Sequence, residues 1–215
     1  MQTEKKSGIT LWGAGTARTM RPVWVAEELG LSYRLTAIGP RTGETKTPQF
    51  SQLNPKQKIP FYTDEYIQLS ESVAICRYLI KRHGSESTLL PPKTIEQQAK
   101  EDEWVSFIYG ELDETSLYVI RRHEALAGIY GEAPNAIRAA KEYVLRQLKI
   151  VEKFLKGKEF LLEEHFSLAD VFLTTCLDWV HLYGIAMPSS LRDYRATINQ
   201  RPAYVKARVI NYNAN

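Results

Sequence analysis

The chain has 215 residues, of which 44% are hydrophobic and 25% charged, with 28 Lys and Arg against 25 Asp and Glu. This composition is typical of a globular protein of one or two domains and excludes a disordered chain. Every apolar run is far shorter than the ~20 residues that a membrane-spanning helix needs, so we expect no insertion into a membrane.

Positive charge is in excess only in the first part of the chain. Residues 1–90 carry 12 basic and 8 acidic side chains, a net charge of +4, whereas residues 91–215 carry 16 and 17, a net charge of −1. The basic side chains are scattered along the sequence, which argues against a nucleic-acid partner. A small anionic ligand suits the first part better.

The N-terminal segment and the cysteines both favour a cytoplasmic location. Residues 9–16, which follow the first basic pair, are interrupted by two glycines and are unlike the apolar core of a secretory signal. Cys76 and Cys176 each fall within an apolar helical pattern and do not form a C-x-x-C pair. We therefore expect a cytoplasmic protein without a disulfide framework.

Residues 9–83 alternate between strand and helix patterns. The order of predicted elements is strand, helix, strand, short helix, β-hairpin and helix. Thr47 before Pro48 predicts the N-cap of the short helix, and Ser70 predicts the N-cap of the last helix. The predicted segments are 9–12, 18–29, 33–37, 48–53, 61–69 and 71–83.

The rest of the chain has helical periodicity. Long helices are predicted to start near Thr94, Pro134 and Ser167, and Ser167 with Asp170 forms a pattern like a capping box. Two shorter helices follow, from about 190 and from 202 onward. We therefore expect an α/β domain over residues 1–84, a linker over 85–94 and an all-helical domain over 95–215.

The segment Gly13–Arg18 invites comparison with the dinucleotide fingerprint G-x-G-x-x-G. Arg18 stands where the third glycine belongs, and a side chain there would separate helix from strand. No acidic residue ends the second predicted strand, so a nucleotide-dependent oxidoreductase is the weaker alternative. The four histidines lack metal-ligand spacing, and we expect no metal site.

Three local features each have an ordinary structural interpretation and a ligand-binding one. The bond Ile59–Pro60 before the hairpin favours an extended Ile59, whose backbone can pair with a ligand; an ordinary trans proline in a turn is the alternative. Glu71 and Ser72 open a helix whose amides can bind a carboxylate, or they only begin the helix. Thr16 either only caps the first helix, or caps it and also donates a hydrogen bond to a thiolate at the same helix start.

Together these segments resemble the glutathione transferase family over nearly the whole chain. Residues 53–60, with Asn54-Pro55 and Ile59-Pro60, are similar to its glutathione backbone clamp, and residues 71–79 to its γ-glutamyl motif. Further similar segments are 9–13, 26–31, 166–170 and 201–204. The resemblance implies a thioredoxin-like domain followed by a helical bundle, an active site of the Ser/Thr type, and glutathione as co-substrate.

By this resemblance, the thiol of glutathione is activated at Thr16, with Arg18 nearby and Thr19 as the alternative hydroxyl donor. Most members that we compare have Ser, Tyr or Cys in place of Thr16. No cysteine lies within residues 10–20, so the mixed-disulfide chemistry of members with an active-site cysteine is not expected. Reduction of a peroxide or disulfide by bound glutathione stays open as an alternative to conjugation.

The resemblance also assigns the residues that bind glutathione. Ile59 pairs its backbone with the cysteinyl unit beside a cis-Pro60, while Glu71 and Ser72 hold the γ-glutamyl end. The glycyl carboxylate is expected to meet one of two lysines, Lys58, which adjoins the clamp, or Lys46.

The second substrate is expected to be a small hydrophobic electrophile. By resemblance it lies over the thiol on the first long helix, with Phe107 and Tyr109 as candidate contacts, although both equally suit the core of a helical bundle. The family also implies a homodimer and a role in detoxification. A different class of function, a binding or interaction module that carries glutathione or a hydrophobic ligand, would need Thr16 only as a cap.

Overall fold

The computed structural model describes residues 8–84, 87–162 and 165–213. The chain divides into two compact units, one that runs to Pro91 and resumes at Gln200, and one from Pro92 to Asn199. The first unit contains the sheet and the second is helical, so the expected fold class is confirmed. Residues 85 and 86 of the expected linker lie outside the described residues.

The first unit is built on a four-stranded sheet. Its strands are β1 (Thr10–Trp12), β2 (Arg34–Thr36), β3 (Phe61–Thr63) and β4 (Gln68–Ser70), in the order β2-β1-β3-β4. β1 is parallel to β2 and antiparallel to β3, and β3 is antiparallel to β4. This is the topology that a strand-helix-strand unit followed by a hairpin predicts.

Three helices accompany this sheet in the order that the sequence predicts. They are α1 (Ala17–Glu28), α2 (Pro48–Leu53) and α3 (Ser72–His83), with a short 3-10 turn (Glu44–Lys46) before α2. Thr47 caps α2, because its hydroxyl accepts a hydrogen bond from the Phe50 amide at 3.3 Å. The predicted cap of this helix is thus confirmed.

A further helix, α10 (Pro202–Tyr212), packs on α1 and belongs to the first unit, although the sequence places this segment in the helical domain. The Arg201 guanidinium donates to both carboxylate oxygens of Glu28 at 2.7 and 2.8 Å. The rings of Trp24 and Tyr204 meet edge to face at 4.9 Å. Such long-range contacts have no counterpart in a local sequence pattern, which explains the difference.

The described residues of the second unit form α4 (Ile95–Phe107), a π-helical segment (Ile108–Leu117) and five further helices. The sequence predicts one regular helix through Leu112, whereas the structure widens its turns from Ile108. The Ser116 hydroxyl donates to the carbonyl of Glu111, five residues earlier, at 2.7 Å. The other helices are α5 (Tyr118–His123), α6 (Ala127–Tyr130), α7 (Pro134–Leu155), α8 (Leu168–Leu182) and α9 (Ser189–Ile198).

The start of α8 confirms the predicted capping box. The buried carboxylate of Asp170 accepts hydrogen bonds from the amide and hydroxyl of Ser167 at 2.9 and 2.6 Å, and from the Leu161 amide at 2.9 Å. Burial raises the pKa of Asp170, and the hydrogen bonds that it accepts oppose this. Among the described residues, no helix is both long and apolar enough to cross a membrane.

The loop between β1 and α1 approaches the segment before β3 very closely. Gly13 has a φ of +106°, and a Cβ built on it would lie 2.6 Å from the Cβ of Ile59. Any residue other than glycine at position 13 would therefore have an unfavourable backbone conformation. Its Cβ would also displace Ile59. Gly13 is the residue that lets these two loops meet.

We expect Gly13→Ala to lower the free energy of unfolding of the protein by roughly 2–5 kcal/mol, since both the positive φ and the close contact oppose a methyl group. Denaturant unfolding measures the change. Gly43→Ala is the matched control, because Gly43 has a φ of +90° and nothing within 4 Å of a built Cβ. Equal losses in the two variants would mean that the contact with Ile59 contributes nothing.

Candidate active site

Thr16 is the N-cap of α1, as the sequence predicts. Its hydroxyl accepts from the Thr19 amide at 3.0 Å, and the Thr19 hydroxyl accepts from the Thr16 amide at 3.0 Å. Since the cap uses the hydroxyl oxygen of Thr16 as an acceptor, its proton can be donated elsewhere. Thr16 itself is half-buried.

The first turn of α1 suits an anion. It contains no acidic side chain, and the amides at a helix start carry a partial positive charge. Arg18, the second residue of the helix, is basic and half-buried. A thiolate close to Thr16 would thus meet a hydroxyl donor, helix amides and a guanidinium-bearing residue within one turn.

Thr19 is in a different environment from Thr16. Its side chain is fully buried, and its hydroxyl lies 2.7 Å from Oδ1 of Asn211 and 2.9 Å from the carbonyl of Thr16. A group enclosed in this way is a poor donor to a ligand. Thr16 is therefore the better placed of the two threonines.

The Ile59–Pro60 peptide bond is cis, as the resemblance implies, so the alternative of a trans proline is wrong. Ile59 is half-buried and Pro60 is buried. The loop before them is shaped by Asn54, which is buried, donates from Nδ2 to the carbonyl of Lys58 at 2.9 Å and accepts from the amide of Lys56 at 3.2 Å.

The resemblance places Asn54 and Pro55 in the segment similar to the glutathione backbone clamp, but it does not identify the hydrogen bonds that Asn54 makes. The available signal is that Asn side chains often bond to backbone groups nearby in the chain. Asn54 thus fixes the carbonyl of the residue next to Ile59.

The start of α3 differs from the sequence prediction by one residue. Ser70 is the last residue of β4, so its predicted role as N-cap is wrong, and Glu71 takes that position with a φ of +73°. Glu71 makes no side-chain capping bond, and Ser72 follows it as the buried first residue of the helix. The cap position therefore leaves the helix amides to an outside acceptor such as a carboxylate.

The carboxylate of Glu71 faces outward from this helix start. It pairs with Lys56 Nζ at 3.0 Å, and the two side chains are 55% and 57% exposed. An exposed pair of this kind contributes little to stability, so it can be exchanged for a pair with a ligand at small cost. Lys56 is absent from the sequence predictions, because its proximity to Glu71 arises from the fold.

The two lysines that are candidates for binding the glycyl carboxylate are both exposed and lie in the first unit. Lys46 ends the 3-10 turn before α2, whereas Lys58 stands directly before Ile59. The loop that holds Lys58 is the one that Asn54 organises. This location keeps Lys58 as the stronger candidate for the glycyl carboxylate.

Phe107 and Tyr109 lie in the second unit, where α4 passes into the π-helical segment. The Phe107 ring meets Trp104 edge to face at 5.7 Å, and the Tyr109 hydroxyl donates to Glu114 at 3.3 Å. Both side chains are half-buried. They are thus partly accessible, and their role toward a substrate stays a prediction.

Family models match both parts of the chain. The Glutathione S-transferase, N-terminal domain matches residues 7–81, and the Glutathione S-transferase, C-terminal domain matches residues 134–206. Glutathione S-transferase 3 of Zea mays is 30% identical over 153 residues, which cover 70% of this chain and 68% of that protein. Glutathione S-transferase TCHQD of Arabidopsis thaliana is 27% identical over 84% of this chain and 81% of that protein.

Solved structures share the fold. A glutathione transferase of Phanerochaete chrysosporium in complex with oxidized glutathione has a TM-score of 0.85 at 21% identity, covering 99% of this chain and 100% of that chain. A family member from Pseudomonas fluorescens with two glutathione molecules bound has a TM-score of 0.82 at 22% identity, covering 96% and 94%. With both domain models, the curated relatives and the fold in agreement, this chain belongs to the glutathione S-transferase family.

Proposed function

We propose that this protein activates the thiol of glutathione at Thr16 and joins the sulfur to a small hydrophobic electrophile. The observation that carries the proposal is the start of α1, where the Thr16 hydroxyl keeps a proton to donate and the first turn has no acidic side chain. Glutathione is the co-substrate, and the first unit supplies the groups that would hold it.

The energetic demand on the site is modest. A free thiol has a pKa near 8.5, and lowering it by two pH units requires about 2.7 kcal/mol of preference for the thiolate. A hydrogen bond to a charged group contributes about 1.5–3 kcal/mol, and a helix N-terminus adds about 0.3–1 kcal/mol. Thr16 and the first turn of α1, assisted by Arg18, are thus sufficient in magnitude.

The reaction itself needs few groups from the protein. The thiol proton leaves to solvent, the thiolate sulfur forms a bond to the electrophilic carbon, and the electron pair of the broken bond leaves with the departing group. Phe107 and Tyr109 of the second unit stay the residues that the resemblance assigns to the electrophile. Thr16 stabilises the thiolate before attack and is not consumed.

The remaining groups of glutathione have partners of matching chemistry. The backbone of Ile59 beside Pro60 pairs with the cysteinyl unit, in the manner of an added strand. Glu71 accepts from the γ-glutamyl ammonium, and the amides at Ser72 bind the carboxylate of the same end. Lys58, or Lys46, binds the glycyl carboxylate.

Thr16→Ala should lower kcat/KM for conjugation of an aryl halide about 10- to 100-fold, because the thiolate loses a charge-assisted hydrogen bond. The kinetic pKa of bound glutathione should rise toward 8.5, so the loss is larger at pH 6.5 than at pH 9. Thr16→Ser should retain most of the activity. Steady-state rates against pH measure all three effects.

Thr42→Ala is the matched control for this series, since it removes a hydroxyl from an exposed loop residue of the same unit. If Thr16→Ala kept the rate and pH profile of the original protein, Thr16 would have no part in the chemistry. If no electrophile reacted while glutathione still bound, the protein would be a binding module. If a peroxide or disulfide were turned over instead, the reductase alternative would replace conjugation.

Glu71→Gln should raise KM for glutathione roughly 3- to 10-fold with little change in kcat, because an exposed carboxylate that meets an ammonium contributes modestly to binding and does not touch the sulfur. Titration calorimetry with glutathione gives the same change as a dissociation constant. Glu65→Gln, also exposed in the first unit, should leave both values unchanged. An unaltered KM in Glu71→Gln would remove Glu71 from the γ-glutamyl site.

We also propose that the protein is a cytoplasmic homodimer with a role in detoxification. Family membership supports the dimer, and so does the exposed apolar tip of the hairpin, where Tyr66 is 63% and Ile67 37% exposed. Arg82 stacks on the Tyr66 ring at 3.9 Å. An arginine-backed tyrosine at a surface is a common anchor of protein interfaces.

Tyr66→Ala should shift the protein toward monomer in sedimentation equilibrium at micromolar concentration, because the variant lacks this aromatic anchor. The control is Tyr130→Ala, which removes an exposed tyrosine under Arg122 from the helical unit. A single species of one chain in the original protein would contradict the proposed dimer.

A further inference from the structure

Asn211, in the last turn of α10, joins the C-terminal helix to the active-site loop through three hydrogen bonds. Its carbonyl accepts from the Gly15 amide at 2.8 Å. Its side-chain Nδ2 donates to the carbonyl of Thr16 at 3.1 Å, and its Oδ1 lies 2.7 Å from the hydroxyl of Thr19. The side chain is fully buried.

These contacts determine which way the hydroxyl protons point. The carbonyl of Thr16 already accepts from the Met20 amide at 3.0 Å and from Asn211 at 3.1 Å, which uses both of its lone pairs. The single proton of the Thr19 hydroxyl therefore goes to Oδ1 of Asn211, the shorter contact. The oxygen of Thr19 is left as an acceptor.

With Thr19 fixed as an acceptor, Thr16 is left with one movable proton. The two hydroxyl oxygens lie 3.0 Å apart, so without a ligand the Thr16 proton rests on Thr19. A negatively charged sulfur accepts a hydrogen bond more strongly than a neutral hydroxyl does. The proton therefore turns to the thiolate when glutathione binds.

We propose that Asn211 is a positioning residue, which holds Thr16 and Thr19 in the one hydroxyl arrangement that makes Thr16 the donor to the sulfur. The inference rests on the proposed function of Thr16. Without the Asn211 side chain, the Thr19 hydroxyl has two acceptors on Thr16 to choose from, and the loop loses two of its three links to α10. An active-site donor that is held loosely loses part of its effect.

A purely structural role for Asn211 would have a different signature. α10 is also anchored to α1 by the pair Arg201–Glu28, by the contact of Trp24 with Tyr204 and by the carbonyl of Asn211, none of which depends on the Asn211 side chain. Loss of the side chain should therefore disturb the thiol more than it disturbs the fold.

The test is Asn211→Leu, which keeps the size of the side chain and removes both of its hydrogen bonds. We expect kcat/KM to fall about tenfold and the kinetic pKa of bound glutathione to rise by about one pH unit. The dissociation constant of glutathione from calorimetry at pH 5.5, where the bound thiol is protonated in both proteins, should stay within about twofold, since Asn211 is fully buried. Asn213→Leu, an exposed asparagine two residues further on, should match the original protein.

A double-mutant cycle separates positioning from general damage. In the Thr16→Ala background, Asn211→Leu should have no further effect on the pKa or on kcat, because the residue acts through Thr16. The same tenfold loss in both backgrounds would overturn the inference, and so would an original pH profile in folded Asn211→Leu. If Thr16→Ala alone had no effect, the proposed role of Thr16 would fail first.

Asn211→Asp covers the case in which the leucine variant does not fold. Aspartate keeps the acceptor for Thr19 and the length of the side chain, but it removes the donor to Thr16 and adds negative charge close to the sulfur. Its kinetic pKa should therefore rise by at least as much as expected for leucine. A pKa equal to that of the original protein, in a variant with unchanged far-ultraviolet circular dichroism, would overturn the inference.

Discussion

The site depends on hydrogen-bond donors that the start of α1 leaves available to a ligand. A helix begins with amides that have no partner in the helix itself, and protein side chains commonly satisfy them. Here the cap is Thr16, whose hydroxyl oxygen accepts a hydrogen bond from the amide of Thr19. The proton of that hydroxyl is not used in capping the helix. Because no acidic side chain lies in this turn, the positive end of the helix dipole is available to a thiolate.

The same logic recurs at α3, at the other end of the binding surface that we propose. Glu71 occupies the cap position with a positive φ of +73° and makes no side-chain capping bond. The loop that carries Ile59 closely approaches the loop after β1 at Gly13. Backbone groups thus supply most of the proposed contacts to glutathione, and few side chains are required.

The sequence predicts those features that depend on residues only a few positions apart in the chain. Thr16, Thr47 and the pair Ser167–Asp170 are found because a cap and the helix that it begins are adjacent in the chain. The N-cap of α3 is Glu71 and not the predicted Ser70, because Ser70 pairs with β3 as the last residue of β4. This pairing is not visible in the local sequence. Gln57, in the loop before Ile59, has a φ of +53°, a backbone conformation that favours glycine.

Residues that act across long stretches of sequence escape such reasoning. Asn211 has no local signal at all, since its partners lie near the other end of the chain.

The return of α10 to the first unit also has a consequence for synthesis of the protein. The ribosome releases the sheet, then the whole helical unit, and only then the helix that carries Asn211. The loop that carries Thr16 therefore lacks its hydrogen bonds to Asn211 until α10 has been synthesised. A nascent chain can form its sheet early, but the links between this loop and α10 form only after the helical unit has been synthesised.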